Sequence, residues 1–143
     1  MSLLEKCEII NFRESGDQNG KLIAIEGNKN IPFDIKRIFY IYGSNSDAIR
    51  GQHANRDSEF VLINVSGKCA IKLKDGKNER IVYLGKPNKG LYIPRMVWKD
   101  MYDFSKDSVL LVLANTYYNK DEYIKDFNEY LSIMEEKIWK ALF

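Results

Sequence analysis

The residues best suited to chemistry lie in Arg50-Gly51-Gln52-His53-Ala54-Asn55-Arg56, just ahead of the apolar run Glu59-Phe60-Val61-Leu62-Ile63. His53 is the only histidine of the chain. Imidazole is the one side chain whose ordinary pKa lies near neutrality, so His53 is the natural proton carrier at physiological pH. In an extended strand His53 and Asn55 share a face, because side chains alternate with period two. Arg50 falls on the opposite face unless a bulge re-aims it. Taken on composition alone, the pattern better fits a surface histidine at a strand edge.

The surrounding elements read as short strands. Lys6 to Phe12 and Lys21 to Glu26 flank the turn-rich stretch Glu14 to Gly20, and Ile35 to Tyr42 alternates imperfectly, with Lys36, Ile38, Tyr40 and Tyr42 on one face. Glu59 to Val65, Lys68 to Leu73, Glu79 to Leu84, Leu91 to Pro94, Val97 to Tyr102 and Val109 to Ala114 continue the series. Asp75-Gly76 is a hairpin signal, since glycine supplies the positive φ that a tight turn requires. Many short strands with turns at near-regular spacing predict an all-β sandwich or barrel. The period then changes: Ile124, Phe127, Leu131, Met134 and Ile138 recur at steps of three and four, the apolar stripe of a helix. Asn119 with Glu122 three residues on resembles a capping box, which predicts a helix over residues 120–141.

Composition sets the class. The chain of 143 residues is expected to form a single domain, 1–143, that closes its core without staples. With 22 basic and 20 acidic residues, net +2, it lacks the basic excess of a nucleic-acid binder. Cys7 and Cys69 sit among apolar neighbours and read as reduced core residues of a cytoplasmic protein. No apolar run approaches the ~18 residues of a membrane span, and Met1 to Ile10, interrupted by Glu5 and Glu8, lacks a signal-peptide core. A cytoplasmic protein without membrane or nucleic-acid partners is expected.

Several motifs resemble one family in order along the chain. They are Ile31 to Tyr40, Arg50-Gly51-Gln52-His53-Ala54, Pro87 to Tyr92 with Val97-Trp98, and Val109 to Ala114 with Tyr117-Tyr118 and Asp121-Glu122-Tyr123-Ile124. Together they look like the sugar 3,4-ketoisomerases. The resemblance implies a cupin, a double-stranded β-helix (jelly-roll) barrel, here with a C-terminal α-helix, dimeric through exchanged N-terminal strands within residues 1–30. It also implies an enzyme moving the carbonyl of dTDP-4-keto-6-deoxyglucose from C4 to C3, for 3-amino-3,6-dideoxy sugars of bacterial surface glycans. Members typically carry His-Ala-His where this chain has His53-Ala54-Asn55. Lys99 and Asn19 match positions near the sugar that vary among members.

The chemistry of such a shift needs a base at C3, an enediol, and proton delivery to C4. His53 is the candidate base and shuttle. Asn55 would polarise the carbonyl or hold the enediolate oxygen, and Tyr40 would serve as an acid or as a partner of His53. Arg37 and Arg50 are expected on the diphosphate, for which guanidinium supplies paired donors; Tyr42 or Trp98 would meet thymine. One imidazole with Glu59 makes a poor transition-metal site, so no metal and no cofactor is expected, with Glu59 facing solvent or paired with Arg56. Two other readings fit the same residues: a nucleotide-sugar-binding cupin without turnover, and a metal-free epimerase acting at C3 or C5.

Overall fold

The protein is described here by a computed structural model, which covers residues 2–142 and their side chains through Lys137. A single turn of 3-10 helix, Leu4–Lys6, leads into β1 (Glu8–Asn11), β2 (Ser15–Asp17) and β3 (Gly20–Leu22). There follow β4 (Arg37–Tyr42), β5 (Arg50–Asn55), β6 (Phe60–Ser66), β7 (Cys69–Lys74), β8 (Glu79–Leu84), β9 (Lys89–Ile93), β10 (Trp98–Tyr102) and β11 (Val109–Ala114). A 3-10 turn, Lys120–Glu122, then precedes β12 (Tyr123–Ile124) and the helix α1 (Phe127–Leu142).

The strands form two five-stranded sheets, β1-β9-β6-β11-β4 and β12-β5-β10-β7-β8, in which every pairing is antiparallel. This is the expected all-β jelly roll with one C-terminal helix. Strand alternation assigns alternate residues to the interior. Phe60, Leu62, Leu91, Ile93, Leu110 and Val112 of the first sheet meet Ile71, Leu73, Leu84 and Met101 of the second in one buried cluster. The complementary face of the first sheet, Val61, Ile63 and Leu113, is covered by Phe12, Ile31 and Phe33 of the N-terminal segment. Cys7 and Cys69 are buried free thiols, and burial pushes them up to about 11 and about 12.

The second sheet is backed by α1. Trp98, 5 % exposed, packs edge-on to Phe127 at 5.0 Å and against Tyr130 at 5.4 Å. Tyr130 is fully buried, and its hydroxyl is shared between the carbonyls of Met96 at 2.7 Å and Lys74 at 3.0 Å. The helix starts at Phe127, not near Lys120. Asn119 does cap a helical turn, accepting from the N–H of Asp121 at 3.0 Å, but that turn is a 3-10 one that ends as β12 pairs with β5. Glu122, expected to reach back as the second half of a capping box, is held instead by Asp57 and Ser58. Asp126 takes over the cap, its carboxylate accepting from the N–H of Glu129 at 3.0 Å. Leu131 and Met134 are half-buried along the expected stripe; Ile138 lies outside the described side chains.

At the β7–β8 hairpin the expected Asp75-Gly76 turn is present. Asp75 accepts from the N–H groups of Lys77 and Asn78 at 2.9 and 2.8 Å, and Gly76 takes φ 96°.

Candidate active site

Between the two sheets lies a cavity of ≈ 250 Å³. Its apolar walls come from Phe39 and Ile41 of β4, Phe60 and Leu62 of β6, Met101 of β10 and Val112 of β11. Its polar side comes from Arg50, His53, Lys99 and Tyr123. A larger depression of ≈ 610 Å³ outside the barrel, along Lys6 to Ile10 and Asn28 to Pro32, has no histidine in its lining.

The bulge that would be needed to bring Arg50 beside His53 is present. His53 pairs with Lys99 while Gly51 pairs with the next residue, Asp100, so Gln52 is the extra residue of β5. Gly51 at φ 79° and Gln52 at φ 57° both adopt the left-handed conformation. The inserted residue resets the alternation, and Arg50 lines the same cavity as His53.

His53 is half-buried, set edge-on to the Tyr123 ring at 4.8 Å. Its Nδ1 is buried without a hydrogen-bond partner. Burial, and then the positive Lys99, push its pKa down to about 3, so at neutral pH the ring is uncharged and has a free lone pair. Lys99 is 4 % exposed. Its Nζ donates to Asn55 Oδ1 at 3.0 Å and lies 4.7 Å from the Phe60 ring centroid. Burial pushes the ammonium down to about 7, against the opposing pull of the Glu122 carboxylate. Asn55 is buried, and its Nδ2 makes no hydrogen bond of normal geometry, although its side chain lies close enough to lower the Glu122 carboxyl and to oppose the fall of His53.

The residue types of Glu122 and Tyr123 carry no signal of a place at the site, although both fall in the Asp121-to-Ile124 motif. Glu122 is buried, and its Oε1 accepts from the N–H of Asp57 and of Ser58, each at 2.9 Å, while the Ser58 hydroxyl donates to Oε2. Burial alone would raise this carboxyl, but the Ser58 hydroxyl and the two backbone donors hold it below the usual range.

The remaining candidates are placed less uniformly. Arg37 lies half-buried on the same face of β4 as Phe39 and Ile41, its guanidinium stacked over Phe39 and Tyr118 at 5.3 and 5.6 Å. Its Nε and Nη2 are buried and unpaired. Tyr40 borders the cavity, but alternation along β4 turns its ring outward, 61 % exposed and 6.0 Å from that of Tyr42, which is 71 % exposed. Trp98 points away from the cavity, because it neighbours inward-facing Lys99 on β10 and therefore serves the helix-covered face. Asn19 sits in the exposed turn between β2 and β3, its N–H bonded to Asp17 at 2.8 Å. Glu59 neither faces solvent freely nor pairs with Arg56: it accepts from the Tyr92 hydroxyl and from Asn115 Nδ2, while Arg56 lies 3.8 Å from Glu129. Among the described residues no three of His, Cys, Asp and Glu gather as a metal-ligand set.

A neutral base and an ammonium poised near neutrality line one apolar-walled cavity, and the buried Asn55 amide holds that ammonium; the set suits proton transfer beside a carbonyl. Comparison with known proteins agrees in class. The chain is 42% identical over 123 residues, 86% of its length and 88% of the relative's, to the TDP-4-oxo-6-deoxy-alpha-D-glucose-3,4-oxoisomerase of Aneurinibacillus thermoaerophilus. Its fold is similar, with TM-score 0.88 and 46% identity over 90% of this chain and 97% of the other, to a 3,4-ketoisomerase from Helicobacter canadensis. A histidine-to-asparagine variant of the 3,4-ketoisomerase QdtA from Thermoanaerobacterium thermosaccharolyticum, in complex with TDP-4-keto-6-deoxyglucose, gives TM-score 0.89 and 39% identity over 91% and 94% of the two chains. The family model described as FdtA: WxcM-like, C-terminal, matches residues 5–135. The chain belongs to this WxcM-like family of sugar 3,4-ketoisomerases.

Proposed function

We propose that the protein shifts the keto group of dTDP-4-keto-6-deoxyglucose from C4 to C3 through an enediol. The observation that carries the reading is His53: the one imidazole of the chain, inside the cavity and uncharged at neutral pH, with an unpaired nitrogen. It removes the C3 proton, which the adjacent carbonyl acidifies, and returns it to C4. The Asn55 Nδ2 donates to the oxygen on which charge develops, as the amide of an oxyanion hole does.

The cavity takes the sugar, and the nucleotide extends outward past Arg50. Arg50 and Arg37 hold the diphosphate; the unpaired Nε and Nη2 of Arg37 are the donors an incoming phosphate oxygen would satisfy. A second copy of the chain completes the site. The β2–β3 hairpin is exposed at every strand residue, Ser15–Asp17 and Gly20–Leu22, and β2 pairs only with β3. Ile38, Tyr40 and Tyr42 leave an apolar outer face on β4. Exchange of the N-terminal strands within residues 1–30 would cover such a face and bring Asn19, with Tyr40 and Tyr42, toward the partner's substrate. Two reduced cysteines suit work in the cytoplasm, and among the described residues no helix is long and apolar enough to cross a membrane.

The test is incubation with dTDP-4-keto-6-deoxyglucose in D₂O, followed by proton NMR. Deuterium at C4 or C3 together with a 3-keto product is the expected result. Exchange at C5 would replace this reading with an epimerase, and tight dTDP binding without exchange would replace it with a binding protein. In His53→Asn, exchange should vanish while dTDP affinity stays within about threefold, since the ring is not among the phosphate-binding groups.

A further inference from the structure

The proposed reaction moves two hydrogens. In the 4-keto sugar, C3 bears a hydrogen and a hydroxyl while C4 is a carbonyl; in the 3-keto product the assignments are reversed. One hydrogen must leave C3 and arrive on C4, and a second must leave O3 and arrive on O4. His53 serves the carbon-bound hydrogen. Asn55 cannot serve the other, because a carboxamide neither takes up nor gives away a proton near neutrality.

Lys99 stands directly opposite His53 across the β5–β10 pair and lines the same cavity. It is buried, with its Nζ fixed by Asn55 Oδ1 at 3.0 Å. An ammonium has three donors, so two remain beyond the one given to Asn55. The charged and titratable groups facing it are His53 and Arg50 from β5, Glu122 from the 3-10 turn, Tyr123 from β12, and the Cys7 thiol from the segment before β1. From the first sheet Phe39, Ile41, Phe60, Leu62 and Val112 line the cavity, Tyr40 borders it with its ring turned outward, and Arg37 shares the inward face of β4.

We propose that Lys99 is a second catalytic residue that carries the oxygen-bound proton, an inference resting on the ketoisomerase reading above. As His53 takes the C3 hydrogen, the electrons of that bond form the C3–C4 double bond, and the carbonyl electrons take a proton from the Lys99 ammonium onto O4. In the second half the Lys99 amine takes the proton from O3. The O3–H electrons form the new carbonyl at C3, and the double-bond electrons take the hydrogen from the imidazolium onto C4. Both side chains end as they began, and no oxidant or reductant is needed. Burial supports the role, since it pushes Lys99 down to about 7, where it can both donate and accept.

The test pairs Lys99→Arg with Lys99→His in the intact protein. Arginine keeps a cation but does not release its proton. In Lys99→Arg, kcat should fall by about 10²–10⁴-fold with KM nearly unchanged. The decline of kcat/KM above pH about 7 in the parent should disappear with it. Lys99→His, which restores a titratable group, should recover at least about tenfold over the arginine variant. Lys99→Arg turning over within about threefold of the parent, with the same decline at high pH, would overturn the proposal. So would a loss confined to KM and to dTDP affinity by calorimetry, which would make Lys99 a binding residue. A parent protein with no turnover at all would overturn the ketoisomerase reading and this one with it; an active parent beside an active Lys99→Arg overturns this one alone.

Discussion

A methyl group on Gly51 would come within 2.9 Å of the Lys99 carbonyl oxygen and 3.2 Å of Met101 Cε. The backbone of the histidine strand therefore approaches its neighbour more closely than any side chain permits. Gly51 also holds φ 79°, a conformation that costs an L-residue about 1–2 kcal/mol. Gly51→Ala should lower thermal stability by at least that amount and push β10 away at Lys99, reducing turnover more than binding. Unchanged melting temperature and kcat would show that the bulge does not set the site.

Acid should weaken the fold through His53. Unfolded, the ring titrates near 6.5; folded, burial and then Lys99 hold it at about 3. Between these values the unfolded chain binds more protons, so stability is lost as pH falls from 6.5 toward 3 and regained on the way up. Urea midpoints at pH 7 and pH 4.5 should separate more widely in the parent than in His53→Asn. Equal separation would place the acid sensitivity elsewhere.

Glu122 is a buried carboxylate whose partners are fixed. In Glu122→Gln the Ser58 hydroxyl and the N–H groups of Asp57 and Ser58 face a neutral amide, half of which is a donor. A loss of about 1–3 kcal/mol is expected by denaturant unfolding. Because Glu122 also supports the positive form of Lys99, the high-pH decline in activity should move to lower pH. A decline that stays in place would separate the two groups.

Trp98 belongs to the helix-covered face. Trp98→Ala should cost about 3–5 kcal/mol, as other large-to-small aromatic changes in cores do. Trp98→Phe, which keeps a ring against Phe127 and Tyr130, should leave KM and dTDP affinity near parental values. A selective loss of dTDP affinity in the phenylalanine variant would return Trp98 to the nucleotide.

The barrel was legible because strand periodicity and turn residues carry it locally. Glu79–Leu84 and Val109–Ala114 occur with the boundaries expected, and Asp75-Gly76 makes the turn its residues require. His53 stood out by chemistry alone. The inward turn of Arg50 could be named only as a condition, since a bulge depends on the register of a strand some fifty residues away. Local spacing misplaces the helix start for a similar reason: Asn119 and Glu122 are correctly spaced for a capping box, but Glu122 finds better partners at Asp57 and Ser58. Trp98 and Lys99 are adjacent and necessarily point to opposite faces; the sequence does not say which face holds the cavity. Tyr123 lacked any signal beyond its motif, because its contact with His53 depends on β12 pairing with β5.

Strand pairing also bears on how the protein comes into being. β4 finds its neighbour in β11, with Arg37 beside Ala114, and β5 is bordered by β10 and β12. β4, β5 and β6 carry lining residues of both walls, but none of the three pairs with another, and each waits for strands from β9 onward. Such distant pairings slow folding to about milliseconds to seconds. Refolding experiments should find that catalysis returns only with the last structural phase, after most far-ultraviolet signal has already recovered.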